Sequence, residues 1–428
     1  MELTRALLVQ RRNRSEPNLI SEFKALATTA GYSVIGCFDI VSPPSAKYGL
    51  RSGKVDEIAT WLEVEKADVV LFSPSLKSGQ LFRLMEKWDL EVRDRTQVIL
   101  EIFDRHASTP QAKLQIEQAR LRYELPFERH QIRVRLQKEH TGDRPITDQV
   151  GAGEDILSKH MMEIRRRIAD IDSKLQKIAD SQSLKKKKRS SIGFVEVALA
   201  GYTNAGKSTL HNTLTSSGVE IADQLFTTLS TKTARLESLN RQVVISDSVG
   251  FISDIPESLM RAFNTTLMEI SDADAILLVV DASDAIEEME RKIATCLDTF
   301  ADIGANGIPV VMVLNKIDLI DEDDLKKKEL HFAEHSNSLV SISAKEHIGI
   351  KHLLEEVEHQ LPEVYTYSIQ LPYGDQGMSI LSWLHEVGEV KSKEFRTDYM
   401  EIMASLSIEI AQKLVRKSPE VVVARVIA

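Results

Sequence analysis

A phosphate-binding loop is the feature of the sequence with the most specific chemistry. It follows a largely apolar run at residues 194–200 and consists of Gly201, Tyr202, Thr203, Asn204, Ala205, Gly206, Lys207 and Ser208. Glycines at both ends let the backbone curl closely around a phosphate and present N–H donors at the start of the next helix. Lys207 is placed to reach the β- and γ-phosphates, and Ser208 to bind Mg²⁺. A turn with accidental glycines is the alternative, but the context of strand, loop and helix favours a nucleoside triphosphate site.

A second motif follows the strand-like residues 243–245. It consists of Asp247, Ser248, Val249 and Gly250. Asp247 can hold Mg²⁺ through a water molecule, and the N–H of Gly250 can meet the γ-phosphate. The motif predicts the second switch of a guanine-nucleotide-dependent protein.

A third motif identifies the base. It consists of Asn315, Lys316, Ile317 and Asp318, after the apolar run 310–314. Asp318 can accept hydrogen bonds from the N1–H and the 2-amino group of guanine, whereas adenine would leave the carboxylate unsatisfied. Ser343, Ala344 and Lys345 follow another predicted strand and form a reasonable loop to cradle the base. Together these residues predict GTP as the substrate.

The first switch is predicted between the phosphate-binding loop and Asp247. Its candidates are Phe226, Thr227, Thr228, Leu229 and Ser230. Thr228 is the preferred ligand for Mg²⁺ when the γ-phosphate is present, with Thr227 as the alternative. Release of that threonine after hydrolysis would let the loop change conformation.

Two positions concern the rate of hydrolysis. Many GTPases have a water-orienting glutamine after the second-switch glycine, but here Phe251 follows Gly250, which predicts a low intrinsic rate. Asn204 resembles the asparagine of GTPases that bind a monovalent cation beside the β- and γ-phosphates, so K⁺ is a predicted cofactor; a loop-shaping role is the alternative. The predicted catalytic set is therefore Lys207, Thr228, Gly250 and Asn204.

Length and composition indicate several cores. The 428 residues are 43% hydrophobic and 28% charged, which fits about three soluble domains of roughly 150 residues each. The apolar runs are far shorter than the roughly 20 residues that cross a bilayer, so we expect a cytoplasmic protein with no membrane partner. The only cysteines are Cys37 and Cys296, which we interpret as packed core thiols without a disulfide.

Charge is unevenly distributed along the chain. The formal net charge is −10, yet residues 113–189 hold 19 Lys and Arg against 12 Asp and Glu, a net +7 that leaves −17 elsewhere. A basic middle in an acidic protein favours a polyanionic partner. The run 185–189, four lysines and an arginine, fits a solvated linker as well as it fits a phosphate contact.

The predicted fold class is multidomain α/β. Buried strands at 6–9, 34–36 and 69–72 alternate with helical segments near 15–30 and 52–66, which predicts a small parallel-sheet domain at 1–110. A doubly wound P-loop GTPase sheet is predicted at 191–361, and a small α+β domain at 362–428 whose last strand begins at Val421.

A long helical hairpin with a basic linker is predicted at 111–190. An apolar stripe on its second helix has 4-3-4-3 spacing and comprises Ile164, Ile168, Ile171, Leu175 and Ile178. The first helix is predicted at 112–125, interrupted at Pro126 and resumed to about 136, with a loop at 140–153. Such a hairpin suits a nucleic-acid groove, with an intramolecular brace as the alternative.

These motifs together resemble the HflX family of ribosome-associated GTPases. The resemblance includes the loop at 201–210 and the segment 247–252, with Ser248 where threonine is usual. The discriminating segments lie outside the GTPase motifs, at 53–57, 93–96, 99–103, 113–126 and 165–168. The match extends over most of the chain.

The resemblance implies a partner. In that family the N-terminal domain and the hairpin dock on the large ribosomal subunit, which stimulates the GTPase as it splits or rescues stalled ribosomes. Carried over, Arg165, Arg166 and Arg167 would contact phosphates of ribosomal RNA, unless they form a solvated helix face. We expect a monomer when the protein is free.

The hairpin loop departs from the family. Of the family's glycine-rich loop only Gly151, Ala152, Gly153 and Glu154 remain. Two other functions stay open: a GTP-dependent switch that binds a protein partner, and a ribosome-assembly GTPase.

Overall fold

The computed structural model describes residues 3–139, 149–191, 194–215, 232–236, 242–247, 250–253, 270–334, 336, 338–418 and 421–426. The chain forms two units, the first running to Ile178 and the second beginning at Ala179. Phe226, Thr227, Thr228, Leu229, Ser230, Ser248 and Val249 lie outside the described residues.

The first unit begins with a four-stranded parallel sheet in the order β2-β1-β3-β4. Its strands are β1 Thr4–Arg12, β2 Tyr32–Val41, β3 Val69–Ser73 and β4 Glu91–Asp94, and its helices are α1 Ile20–Thr29, α2 Ser52–Glu65, α3 Ser78–Trp88 and α4 Arg95–His106. Every residue of β3 is buried, as expected for a central parallel strand covered on both faces. The predicted parallel-sheet domain is therefore confirmed.

Two long helices, α5 Pro110–Glu139 and α6 Gln149–Ser191, follow α4. The predicted apolar stripe lies on the buried side of α6. Ile171 is fully buried, and the other four residues of the stripe are half-buried. Polar bonds join the helices beside this stripe, with Gln118 and Arg122 of α5 donating to Asp172 of α6. The stripe is thus packing, as predicted.

The predicted break at Pro126 is wrong. Helix α5 continues through Pro126, although proline lacks an N–H for the helical bond. The neighbouring side chains are anchored: the Tyr123 hydroxyl donates to Asp94, and Phe127 packs against the core of the sheet. We attribute the continuity to this packing, which offsets the lost bond.

Two further predictions require correction. Residues 149–153 of the predicted hairpin loop belong to the first turn and a half of α6, because a long helix tolerates glycines that each cost about 1 kcal/mol relative to alanine. Cys296 is buried as predicted, but Cys37 is exposed because it lies on β2, at the edge of its sheet.

The second unit contains a six-stranded sheet in the order β10-β9-β8-β5-β7-β6. The strands are β5 Val195–Gly201, β6 Lys232–Leu236, β7 Val243–Asp247, β8 Ala275–Asp281, β9 Val310–Asn315 and β10 Leu339–Ser341. Its described helices are α7 Lys207–Thr215, α8 Ile286–Asp302, α9 Glu322–Ala333 and α10 Ile350–Gln360. This is the predicted P-loop sheet, with an unforeseen antiparallel edge strand, β6.

The same unit ends in an antiparallel sheet in the order β12-β13-β11-β14. Its elements are β11 Val364–Pro372, α11 Asp375–Val387, β12 Glu389–Phe395, β13 Tyr399–Ser407, α12 Ile408–Lys417 and β14 Val422–Arg425. Strand β13 alternates buried and half-buried residues, so one face of the sheet packs against the helices. The predicted α+β module is present, while the boundaries predicted at 110, 190 and 361 stay predictions.

Candidate nucleotide-binding site

The phosphate-binding loop lies where β5 ends and α7 begins. Gly201 has φ +145°, and a Cβ there would lie 2.2 Å from the main-chain oxygen of Val279. Gly206 has φ +93°, and its Cβ would lie 2.2 Å from Nδ2 of Asn315. Both positions therefore favour glycine for two reasons: a neighbouring atom leaves no room for a Cβ, and the backbone has a positive φ.

Lys207 is the first residue of α7 and is 7% exposed. Its Nζ donates to the main-chain oxygen of Tyr202 at 2.8 Å. Burial lowers the pKa of the Lys207 ammonium, and the nearby Asp247 carboxylate opposes that effect. The arrangement places the Lys207 Nζ inside the loop that is predicted to receive the phosphates.

Ser208 and Asp247, two of the predicted Mg²⁺ ligands, are in contact with each other. Strand β7 pairs with β5 so that Asp247 stands beside Leu199, and Oγ of Ser208 donates to Oδ2 of Asp247 at 2.8 Å. The two side chains thus place oxygen atoms together at the carboxyl end of the sheet. Oxygen donors of this kind suit a hard divalent cation.

Gly250 lies against the phosphate-binding loop. A Cβ at Gly250 would lie 2.9 Å from both Nζ of Lys207 and Cγ2 of Thr203. The next residue is bonded to the loop on both sides: Phe251 N donates to Gly201 O at 3.1 Å, and Thr203 N donates to Phe251 O at 2.8 Å. The last residue of the predicted second-switch motif, Gly250, is therefore in direct contact with the first motif.

The side chain of Phe251 points into the core. It is 1% exposed and packs edge-to-face on Phe300, with ring centroids 5.9 Å apart. A buried phenyl ring has no group that could orient water.

Asn204 occupies the apex of the phosphate-binding loop. It is exposed and has φ +62°, a left-handed conformation that asparagine tolerates better than most residues. The residue is thus exposed at the surface of the loop.

Asn315 connects three segments of the site. Its Nδ2 donates to the main-chain oxygen of Ala205 at 2.8 Å, and its Oδ1 accepts from the N–H of Ala344 at 3.0 Å. Asn315 is 2% exposed, so these bonds are shielded from water. The predicted phosphate and base motifs are therefore joined through one side chain.

Lys316 adopts φ +69° immediately after β9. Its Nζ lies 2.6 Å from Oδ2 of Asp281, at the end of the neighbouring strand β8. Burial alone would raise the pKa of Asp281, but hydrogen bonds from Lys316 and Ser283 outweigh it and hold that pKa below its usual value. Sequence reasoning missed Asp281, although its place at the end of a buried strand was a usable signal.

Asp318 is exposed on a short 3₁₀ turn, Ile317–Leu319. Its Oδ1 accepts from Oγ of Ser343 at 2.6 Å, and that Oγ also accepts from the N–H of Glu346 at 3.1 Å. The side chain of Lys345, two residues after Ser343, is 78% exposed. The third motif and the Ser343–Lys345 loop thus meet, as predicted.

These features define a P-loop protein built for guanine nucleotides. Family models match three segments: one described as "50S ribosome-binding GTPase" at residues 196–316, one as "GTP-binding GTPase N-terminal" at 18–104, and one as "GTP-binding GTPase Middle Region" at 106–189.

Similar proteins match along nearly the whole chain. GTPase HflX of Thermococcus kodakarensis is 36% identical over 401 residues, which cover 91% of this chain and 89% of that protein. GTPase HflX of Escherichia coli K12 is 32% identical over 401 residues, covering 92% and 90%. This chain therefore belongs to the HflX family of GTPases, as its motifs indicated, and it binds and hydrolyses GTP.

A solved structure is also similar. It is a GTP-binding protein from Sulfolobus solfataricus in complex with GDP, at 24% identity and a TM-score of 0.43, covering 83% of this chain and 98% of that chain. Among the helices described in this chain, none combines the length and apolar character needed to cross a bilayer.

Proposed function

We propose that this GTPase acts on the large ribosomal subunit and splits or rescues stalled ribosomes. The observation that carries the proposal is the helical hairpin, whose exposed face carries Arg165 and Arg166. A basic helix pair suits the phosphates of ribosomal RNA. The family model that matches the GTPase segment is itself described as ribosome-binding.

The three arginines of the hairpin are not equivalent. Arg167 donates from Nε and Nη2 to the carboxylate of Glu117 at 2.7 and 2.9 Å, so it braces α6 against α5. Arg165 and Arg166 face solvent. The proposal therefore assigns RNA contact to those two and a positioning role to Arg167.

The nucleotide site supplies the chemistry of GTP hydrolysis to GDP and phosphate. Lys207 would neutralise charge on the β- and γ-phosphates, and the N–H of Gly250 would bind the γ-phosphate. Ser208 and Asp247 have the oxygen donors to hold Mg²⁺, with Thr228 as the further ligand the sequence predicts. Mg²⁺, when bound, would offset the charge that develops between the β- and γ-phosphates.

The rate of hydrolysis is proposed to depend on the partner. Phe251 lies in the core where many GTPases present a glutamine, which supports a low intrinsic rate and stimulation by the ribosome. A K⁺ ion beside Asn204 is proposed to contribute charge in the transition state. The free protein is proposed to be a monomer that works in the cytoplasm.

The test is GTP hydrolysis with and without purified large ribosomal subunits. Stimulation, together with co-sedimentation that weakens as salt rises, would support the proposal. Hydrolysis that the subunits leave unchanged, without co-sedimentation at low salt, would favour the alternative of a switch that binds a protein partner. Binding only to immature subunits would favour a ribosome-assembly GTPase.

A further inference from the structure

Arg291 of α8 lies behind the phosphate-binding loop and has a clear set of partners. Its Nε and Nη2 donate to the two carboxylate oxygens of Glu288 at 2.8 and 2.6 Å. Its Nη1 donates to Oγ of Ser253 and lies 3.5 Å from the hydroxyl of Tyr202. The guanidinium also lies over the Tyr202 ring, 5.4 Å from the centroid.

Tyr202 links these contacts to the phosphate-binding loop. Its main-chain oxygen accepts from Lys207, while its hydroxyl accepts from the N–H of Ser253 at 2.6 Å. That hydroxyl also lies 2.8 Å from Oγ of Ser253. Tyr202 and Ser253 are 4% and 7% exposed, so the bonds are protected from water.

Ser253 lies three residues after Gly250, at the end of the sequence stretch 250–253. Two residues of this stretch are tied to the loop, Phe251 by its main-chain bonds and Ser253 by the bond from its N–H to the Tyr202 hydroxyl. The N–H of Gly250 can act on the γ-phosphate only if the segment is held at the correct distance. The contacts of Arg291 hold Ser253 in place.

We infer that Arg291 is a positioning residue for GTP hydrolysis. Held by Glu288, it fixes Ser253 and Tyr202 so that Gly250 stays in register with the phosphate-binding loop. A planar guanidinium can bind the carboxylate and the serine at once, which a lysine ammonium cannot do in the same geometry. The inference goes beyond the ribosomal proposal and needs only the GTPase activity of the family.

The test compares Arg291→Met with Lys292→Met. Lys292 is the adjacent residue, and its Nζ also lies over the Tyr202 ring, at 5.3 Å, but it pairs with Asp284 and Glu288 and donates to neither Ser253 nor the Tyr202 hydroxyl. For Arg291→Met we expect kcat to fall about tenfold, while the Kd of a fluorescent GDP analogue changes less than about twofold. Lys292→Met should change kcat by less than about twofold.

Two further variants separate positioning from general damage. Arg291→Lys keeps the charge but should recover only part of the lost kcat. Tyr202→Phe removes the shared hydroxyl, so its combination with Arg291→Met should lower kcat no further than the stronger single change.

An unchanged kcat in Arg291→Met would overturn the inference. A loss of GDP affinity equal to the loss of kcat would also overturn it, because that result indicates damage to the whole site. Full recovery of kcat in Arg291→Lys would overturn it as well. Absence of GTP hydrolysis in the unmodified protein would instead contradict the GTPase assignment, so the two failures are distinguishable.

Discussion

The side-chain amide of Asn315 donates to the main-chain oxygen of Ala205 at 2.8 Å. This bond ties Asn315, the last residue of β9 and the first of the base motif, to the predicted phosphate-binding loop. Because Asn315 also accepts from the N–H of Ala344, one buried amide holds three loops in register. The predicted base and phosphate motifs are therefore coupled through one buried side chain.

Gly206→Ala should break that coupling. A Cβ at Gly206 would lie 2.2 Å from Nδ2 of Asn315, and the residue has φ +93°. We expect a loss of about 2–3 kcal/mol in the free energy of unfolding, measured in urea, and at least about tenfold weaker binding of GDP. Gly304→Ala is the control, because it has φ +76° with nothing within 4 Å of the added Cβ, and should cost about 1 kcal/mol with GDP affinity retained. Equal effects of the two changes would contradict the prediction.

Asp318→Asn should change the preferred base. The carboxylate is exposed beside Ser343 and is predicted to accept from the N1–H and 2-amino group of guanine. An asparagine amide can donate to the 2-oxo group of xanthine instead, so we expect the KM for GTP to rise about 100-fold and XTP to become the better substrate. Ser343→Ala removes only the supporting hydroxyl and should raise the KM for GTP by less than about tenfold. An Asp318→Asn protein that still prefers GTP would rule out this role.

Asp281 should make the stability of the folded protein depend on pH in the acidic range. Since its pKa lies below the usual value in the folded protein, its contribution is complete above the unfolded pKa of about 4 and is lost as pH falls through the lower folded pKa. The urea midpoint of the unmodified protein should therefore fall more steeply between about pH 5 and about pH 3 than that of Asp281→Asn. Asp302→Asn makes the same charge change at an exposed position and should keep the steep dependence. Parallel pH profiles for all three proteins would show that the ion pair between Asp281 and Lys316 does not contribute to stability.

Asn204 should confer a dependence on monovalent cations. If its side-chain oxygen binds K⁺ beside the phosphates, GTP turnover should be about tenfold faster in K⁺ than in Na⁺ at equal ionic strength. Asn204→Gly keeps the left-handed conformation without strain but removes the oxygen, so it should abolish the difference. Equal rates in the two salts for the unmodified protein would remove the cation role.

Arg165 and Arg166 should set the salt dependence of binding to large ribosomal subunits. Replacing both with glutamine should weaken co-sedimentation and lower the slope of log K against log salt by about 2, one for each lost phosphate contact. Lys326→Gln with Lys327→Gln removes the same charge from an exposed face of α9 and should leave the slope unchanged. An identical loss of subunit binding and of salt slope in both double variants would indicate a general charge effect rather than contact by the hairpin.

Sequence alone determined the parts of the site that depend on neighbours in the chain. Three motifs each come at the end of a strand: the phosphate-binding loop, the motif that begins at Asp247 and the base motif. Such motifs can be predicted from a few consecutive residue types, because local turn chemistry favours their backbone conformation. The buried face of α6, centred on Ile171, could also be predicted from the sequence, because helical periodicity alone places these apolar residues on one face.

Tertiary structure decided what depends on residues far apart in sequence. Asp281 meets Lys316 only because β8 and β9 are adjacent, and Arg291 meets Tyr202 only because α8 packs behind the phosphate-binding loop. Helix α5 continues through Pro126 because packing on the first sheet outweighs a local penalty, and Cys37 is exposed because β2 is an edge strand. Local propensities are worth about 1–3 kcal/mol, so contacts between distant elements can override them, and those contacts have no signature in the chain until it folds.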